Sequence, residues 1–221
     1  MSVSDPHIDR LGRLDTCAVS DALDKLGLRG SVTGLGRLSS NKRIAGRVLT
    51  VRLDRAEAAA QTPRRHLCTA AIESARPGDI VVVEQRTGVD AAGWGGTLSL
   101  GARMCGLAGV IVEGPARDLD ESRDLDFPVF ARSHTARTAR GRIVEVETNG
   151  LVTVGDVVVT PGDYVVADAT AVVFIERNEI GRVLDAAEGI ARREAAMAQA
   201  LRDGKPISQV MGAGYEGMLK R

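Results

Sequence analysis

Nothing in this chain asks for a covalent or metal staple. Its cysteines, Cys17, Cys68 and Cys105, are scattered in apolar surroundings and form no C-x-x-C pair, which argues against a zinc knuckle or a thioredoxin-like site. A reducing, cytoplasmic setting is expected. No segment approaches the roughly 20 consecutive apolar residues that span a bilayer, and the opening MSVSDPHIDR has no apolar signal core. The expectation is a soluble, non-secreted protein without a membrane partner. Net charge is missing too: 29 Lys and Arg balance 29 Asp and Glu, so no nucleic-acid footprint follows. Arginine outnumbers lysine, which a coding bias toward Arg and Ala explains better than guanidinium chemistry. Histidine is scarce, and His7, His66 and His134 suggest no nucleophilic triad; His7 is expected in a mobile terminus and His66 on a helix.

What is present is enough for one compact domain with an extension, since 221 residues bury a core unaided. TCAVSDALDKLG has Ala18, Ala22 and Leu26 four apart, with Val19 and Leu23 beside them. That spacing predicts a short helix begun near Asp15, Thr16 or Ser20 and stopped by Gly27. IAGRVLTVRL reads as a strand, RRHLCTAAIESA as a helix, and Pro77-Gly78-Asp79 as the turn into a buried strand, IVVVE. A second Pro-Gly-Asp at 161 to 163 precedes YVVADATAVVFI, but so common a turn signal is weak evidence of duplication. Between them lie three short alternating runs, with Asn149-Gly150 as a hairpin turn. The longest helix is expected over about 176 to 203, its stripe formed by Ile180, Val183, Leu184, Ala187, Ile190, Ala191, Met197, Ala198 and Leu201. The pattern describes a β-rich α/β fold with a β-α-β unit from Asp79 to Glu113. It divides into a main domain over 1–175 and a helical arm over 176–221 that wraps its own domain or a neighbouring subunit.

The chemistry concentrates in WGGTLSLGARMCGLAGVIVEGPARD, residues 94–118. In an open α/β layer, ligands bind beyond the carboxyl ends of strands, where Arg117 and Asp118 follow the buried run GVIVEG. Arg117 can clamp a substrate carboxylate and Asp118 can hold Mg²⁺ or Mn²⁺. The structural alternative has Asp118 capping LDESR, with Glu121 completing a capping box and Arg117 paired to another acid. Gly95 and Gly96 open a helix that Thr97 can cap, and its first N–H groups, through Leu98, suit an anion. A tight packing turn explains the glycines equally well. Glu113 can face the pocket or a partner strand. Glu194 lies on the apolar stripe, so it is expected to pair with an arginine or to contribute across a subunit interface.

Together TCAVSDAL, RPGDIVVVE, WGG, GLAGVIVEGPARD, FPVFAR and TPGDYVVADATAVVFI resemble the RraA-like family. That family includes the regulator of ribonuclease E activity and the metal-dependent 4-hydroxy-4-methyl-2-oxoglutarate/4-carboxy-4-hydroxy-2-oxoadipate aldolases. The resemblance implies a swivelling β/β/α domain with a long C-terminal helix, assembled as a homotrimer or homohexamer with sites between subunits. It implies a carbon-carbon lyase acting on an anionic 2-oxo acid, with oxaloacetate decarboxylation as a side activity. Arg117 would bind substrate, Asp118 would bind Mg²⁺ or Mn²⁺, Glu194 would reach the neighbouring site, and the Gly95 and Gly96 amides would meet the oxo acid. Three positions depart from the family pattern. Its aldolases carry Asp or Glu 21 positions before the Arg, where Gly96 stands here. Glu113 replaces a more usual Asp, and ADATA replaces an Asp-x-Asp-Gly-like segment near residue 168. Either Glu113 or Glu194 compensates for the absent carboxylate, or the scaffold has changed reaction, to a metal-independent lyase or cyclase, to a protein-binding regulator, or to a structural homologue.

Overall fold

The computed structural model describes residues 5–59 and 66–212. Its helices are α1 (Pro6–Leu11), α2 (Thr16–Leu26), α3 (Thr69–Ser74), α4 (Gly96–Met104), α5 (Leu119–Asp124), α6 (Ile180–Arg202) and α7 (Ile207–Val210). The first six strands are β1 (Ser31–Val32), β2 (Gly36–Arg37), β3 (Ile44–Arg55), β4 (Ile80–Glu84), β5 (Gly109–Ala116) and β6 (Val129–His134). The rest are β7 (Ile143–Thr148), β8 (Val152–Val154), β9 (Val157–Val159), β10 (Tyr164–Ala167) and β11 (Val172–Ile175).

The large sheet runs β1-β11-β10-β3-β4-β5-β6-β2, with β7 added to β3. Strands β3 to β6 are mutually parallel, and β10, β11, β1, β2 and β7 pair antiparallel. This is a mixed α/β fold whose sheet curls into a half-barrel, with the expected β-α-β unit formed by β4, α4 and β5. Strand alternation divides the core. Ile80, Val82, Ile111 and Phe130 share one apolar cluster with the β8–β9 hairpin, whereas Val81, Val83, Val110 and Val112 face the cluster containing α3 and α4 residues. A third cluster joins α1, α2 and α6 to Tyr164, Val166, Val173 and Ile175.

Local chemistry sets the helix ends. Asp15 caps α2 through the Ala18 N–H (2.8 Å), and Gly27, in the left-handed region at φ 69°, ends it. Asp168, from the divergent ADATA segment, accepts hydrogen bonds from the Thr16 N–H and Oγ1 at 3.0 and 2.7 Å. Burial opposes its charge, but these bonds and those from Thr170 and Ala171 hold its carboxyl below the ordinary value. The two Pro-Gly-Asp turns are locally alike. Gly78 and Gly162 have φ of 92° and 89°, and Asp79 and Asp163 each accept an N–H from three residues earlier at 2.8 Å. Their strands nevertheless pair differently, β4 parallel and β10 antiparallel to β3.

Three expectations need correction. Asn149-Gly150 is not a hairpin turn: β7 is captured by β3, the Asn149 N–H bonds to the Thr50 carbonyl at 2.7 Å, and the hairpin forms between β8 and β9. The helix expected over RRHLCTAAIESA is only α3, because Cys68 occupies the left-handed region at φ 64°; residues 64 and 65 lie outside the described residues. His7 lies in α1, edge-on to the Tyr164 ring at 6.0 Å, rather than in a mobile terminus. The stripe of α6 is buried in its own chain at Ile180, Val183, Leu184, Ala187 and Ile190, but Leu201 is 38% exposed. The arm therefore packs at home over its first half; residues 213–221 lie outside the described residues. Among the described residues, no helix is long and apolar enough to cross a membrane.

Candidate functional site

Strand β5 ends where the chain segment before α4 returns to it. Trp94 bridges Ala116 in parallel fashion, the Gly93 N–H bonds to the Pro115 carbonyl at 2.9 Å, and the Arg117 N–H bonds to the Trp94 carbonyl at 3.0 Å. These bonds place Trp94-Gly95-Gly96 against Arg117-Asp118. Trp94 is buried, stacked on Phe127 at a centroid distance of 6.3 Å. Its indole N–H donates to Ser99 Oγ at 2.9 Å, Ser99 Oγ meets Ser122 Oγ at 2.9 Å, and Ser122 Oγ donates to the Asp118 carbonyl at 3.3 Å. This polar ladder ties the first turn of α4 to α5. A buried indole or hydroxyl left unpaired would cost about 1–3 kcal/mol.

Asp118 itself is in the left-handed region, φ 53° and ψ 43°, and makes no side-chain cap on α5. The capping box with Glu121 is therefore absent, since a capping residue ordinarily needs extended backbone. Asp118 instead reaches across to α4, where its Oδ2 accepts the Gly96 N–H at 3.0 Å and the Arg117 Nε–H at 3.1 Å. It thus caps the helix that Thr97 was expected to cap, placing a negative charge where the aligned peptide dipoles favour one. Asp118 Oδ1 and the terminal guanidinium nitrogens of Arg117 carry no hydrogen bond among the described residues.

The close approach explains both glycines. At Gly95, a Cβ would stand 2.7 Å from Asp118 Oδ2 and 3.3 Å from Arg117 Cγ. At Gly96, a Cβ would overlap Glu121 Oε2 and stand 2.7 Å from Glu121 Cδ and 3.1 Å from Asp118 Cβ. Backbone conformation does not demand either glycine, because residue 95 is extended and residue 96 is helical; the crowding is firm at Gly95, against the hydrogen-bonded Asp118 carboxylate, and yielding at Gly96, against the tip of the exposed Glu121 side chain.

Beside this corner is a cavity of about 90 Å³, lined by Gly95, Gly96, Thr97, Leu98, Arg117 and Asp118 together with His66, Leu67, Ala92, Gly93, Trp94, Thr138 and Ala139. All six residues expected to bind substrate or act in catalysis meet there. His66, Leu67, Thr138 and Ala139 were missed. The signal was available in principle: the walls follow the carboxyl ends of β3, β4, β5 and β6, the place such sheets offer to ligands. Ligand pockets usually enclose about 300–1,000 Å³, so one chain by itself provides room for only a small fragment.

Two expected ligands are elsewhere. Glu113 has the opposite strand parity to Val112 and Ala116, so it points to the other face of the sheet, where Arg132 Nε and Nη2 each bond its Oε2 at 2.9 Å. It does not replace the missing carboxylate at this corner. Glu194 lies on α6, whose neighbour is α2, and is not part of the cavity. Burial, then Asp15 and Asp21, raise its carboxyl above the ordinary value, and no arginine pairs with it among the described residues. The thiol nearest the cavity, Cys68, is fully buried; burial and then Glu145 push it well above the usual thiol range, which makes it a poor nucleophile.

The arrangement can bind an anion through free guanidinium N–H groups and the start of α4, with hard carboxylate oxygen alongside. Among the described residues there is no cluster of three or more His, Cys, Asp or Glu side chains placed to cage a metal. Asp118 with its free Oδ1 nevertheless fits Mg²⁺ or Mn²⁺, which are commonly held by one or two carboxylates plus water and substrate.

The sequence model of the RraA-like family, described as Aldolase/RraA, matches residues 16–174. The chain belongs to the RraA-like family. It is 30% identical over 185 residues to a Halalkalibacterium halodurans protein named "Putative 4-hydroxy-4-methyl-2-oxoglutarate aldolase", covering 82% of this chain and 81% of that one. It is also 24% identical over 208 residues to Protein DlpA of Legionella pneumophila, covering 91% of this chain but spanning only 32% of that relative's length. Among solved structures it resembles Streptomyces coelicolor RraAS2, described as an unusual member of the RNase ES inhibitor RraA protein family. That match has a TM-score of 0.75 and 25% identity, covering 88% of this chain and 96% of the other. Family membership therefore spans both aldolase and inhibitor names.

Proposed function

We propose that this RraA-like protein is a carbon-carbon lyase that cleaves a 4-hydroxy-2-oxo acid to pyruvate, with Arg117 and Asp118 at its centre. The observation that carries this reading is the free guanidinium edge of Arg117 beside the start of α4, whose first N–H, that of Gly96, is already met by Asp118, with the cavity lying against both. The substrate carboxylate and 2-oxo group would lie between Arg117 and the first N–H groups of α4. Asp118 is the residue that would hold Mg²⁺ or Mn²⁺, which when bound would supply Lewis acidity toward the 2-oxo group. Removal of the 4-hydroxyl proton by an acid-oriented water lets the C3–C4 bond break. The new carbonyl forms at C4, and the electron pair passes to an enolate whose charge Arg117 balances. Protonation at C3 then gives pyruvate. Oxaloacetate decarboxylation demands the same enolate stabilisation and is the expected side reaction.

The small cavity and the exposed outer half of α6 support assembly as a homotrimer or homohexamer, in which Glu194 reaches a neighbouring site. Pyruvate release from 4-hydroxy-4-methyl-2-oxoglutarate and from oxaloacetate, with Mg²⁺, Mn²⁺ or EDTA, tests the function. Metal-dependent turnover of either supports it. No turnover, together with tight binding to a ribonuclease, would replace it with the inhibitor role.

A further inference from the structure

A lyase of this kind must place a proton as well as a charge. When a 4-hydroxy-2-oxo acid is cleaved, the proton of the 4-hydroxyl has to come to rest on a group of the site. Of the side chains that line the cavity, His66, Arg117 and Asp118 are ionisable. Arginine stays protonated. Asp118 Oδ2 already accepts the Gly96 and Arg117 N–H groups, and Oδ1 is the oxygen left for a cation. Thr97 and Thr138 bring hydroxyls, which are poor bases, and the Trp94 indole can only donate. An imidazole, by contrast, takes up and releases a proton near neutral pH. The local structure prepares His66 for that task. Its carbonyl accepts the Thr69 Oγ1–H at 2.9 Å and the Thr69 N–H at 3.4 Å, so the turn into α3 holds its backbone. Leu67 is buried, and Glu145 Oε2 accepts the Cys68 N–H at 2.5 Å, which anchors the same turn to β7. His66 itself is exposed at the cavity wall. Its Nδ1 lies 3.3 Å from the Leu67 carbonyl. A carbonyl oxygen can only accept, so this hydrogen bond puts the hydrogen on Nδ1 and leaves the Nε2 lone pair of the neutral ring available. The other described histidines, His7 in α1 and His134 at the end of β6, do not line the cavity.

We propose that His66 Nε2 accepts the proton of the substrate 4-hydroxyl, directly or through one water. The O–H electron pair becomes the second bond of the C4 carbonyl, the C3–C4 pair passes to the enolate, and the proton moves to Nε2. The enolate then takes a proton at C3 from water and His66 returns its own to solvent, so none is gained or lost overall. Oxaloacetate makes no such demand, because CO₂ leaves from a carboxylate that has no proton to remove. The assignment rests on the lyase reading above, and it separates two reactions that Arg117 serves alike.

The test compares kcat for pyruvate release from 4-hydroxy-4-methyl-2-oxoglutarate and from oxaloacetate in the full chain, with melting temperatures as the folding control. In His66→Asn the ratio of cleavage to decarboxylation should fall about 100-fold, the lower end of what a positioned acid–base group contributes, because water can partly replace an exposed imidazole. His66→Ala should show the same fall, and added imidazole should restore part of its cleavage without raising decarboxylation. A ratio unchanged in both variants, whether because cleavage survives or because both reactions fall together, with no response to imidazole, would overturn the assignment and leave the lyase reading standing. No pyruvate from either substrate with the wild-type chain would remove the lyase reading, and this assignment with it.

Discussion

Two acidic corners of this molecule treat their carboxylates in opposite ways. Around Gly96, Asp118 is met by a guanidinium and a helix-start N–H, and the Trp94-Ser99-Ser122 ladder fixes the turn that aims it. Between α2 and α6, Asp21 and Glu194 have no such support among the described residues. Burial raises both carboxyls, with Asp24 and Asp15 adding to the effect on Asp21 and Asp15 and Asp21 adding to that on Glu194. One chain therefore completes the electrostatics of the first corner and leaves those of the second unfinished. A preorganised site belongs where charge is already balanced; an unbalanced acid belongs where something outside the chain completes it.

The largest effect should come from Arg117→Ala, which removes the positive group of the finished corner. Pyruvate release should fall by about 10²–10³-fold, the usual loss for one preorganised donor, with little change in melting temperature. A preserved rate with a lower melting temperature would make Arg117 a structural partner of Asp118. Ser99→Ala should cost about 1–3 kcal/mol, because it leaves the Trp94 N–H buried and unpaired, seen as a midpoint shift in denaturant unfolding. Gly96→Asp should cost less, because the atoms a new side chain meets first are the tip of the exposed Glu121 side chain, which can move aside; a midpoint shift as large as that of Ser99→Ala would show that Glu121 is held in place.

The α2–α6 corner should respond least and with the opposite sign. A raised carboxyl pKa means that the folded state holds the proton more tightly. Stability therefore falls as pH rises from Glu194's ordinary 4.5 through its folded value, and the penalty is constant above that window. Glu194→Gln should gain a few tenths of a kcal/mol above the window, as for a like-charge pair on a helix, and nothing below it. Chemical denaturation at pH 4 and pH 8 checks the sign. A loss of turnover in the same variant would show that Glu194 serves a neighbouring subunit.

Much of this was legible in sequence. The 3.6-residue stripes of α2 and α6, the β-branched run of β4 and the strand-end position of Arg117-Asp118 all depend on local pattern, and they stand. What was not legible depends on tertiary pairing. Capture by β3 turned Asn149-Gly150 from a hairpin into a corner, and the left-handed turn at Asp118 sent its carboxylate to α4 instead of to its own helix. His66 and Thr138 join the cavity only because four parallel strands end together. Gly96 read as a missing acid, but its crowding by Glu121 is visible only in three dimensions.

The most direct test of the central claim is a crystal structure grown with Mn²⁺ and oxalate, a planar mimic of the pyruvate enolate. The expected result is oxalate between the Arg117 guanidinium and the start of α4, with Mn²⁺ against Asp118. Oxalate and metal bound away from Arg117 and Asp118, with this corner unchanged, would contradict it.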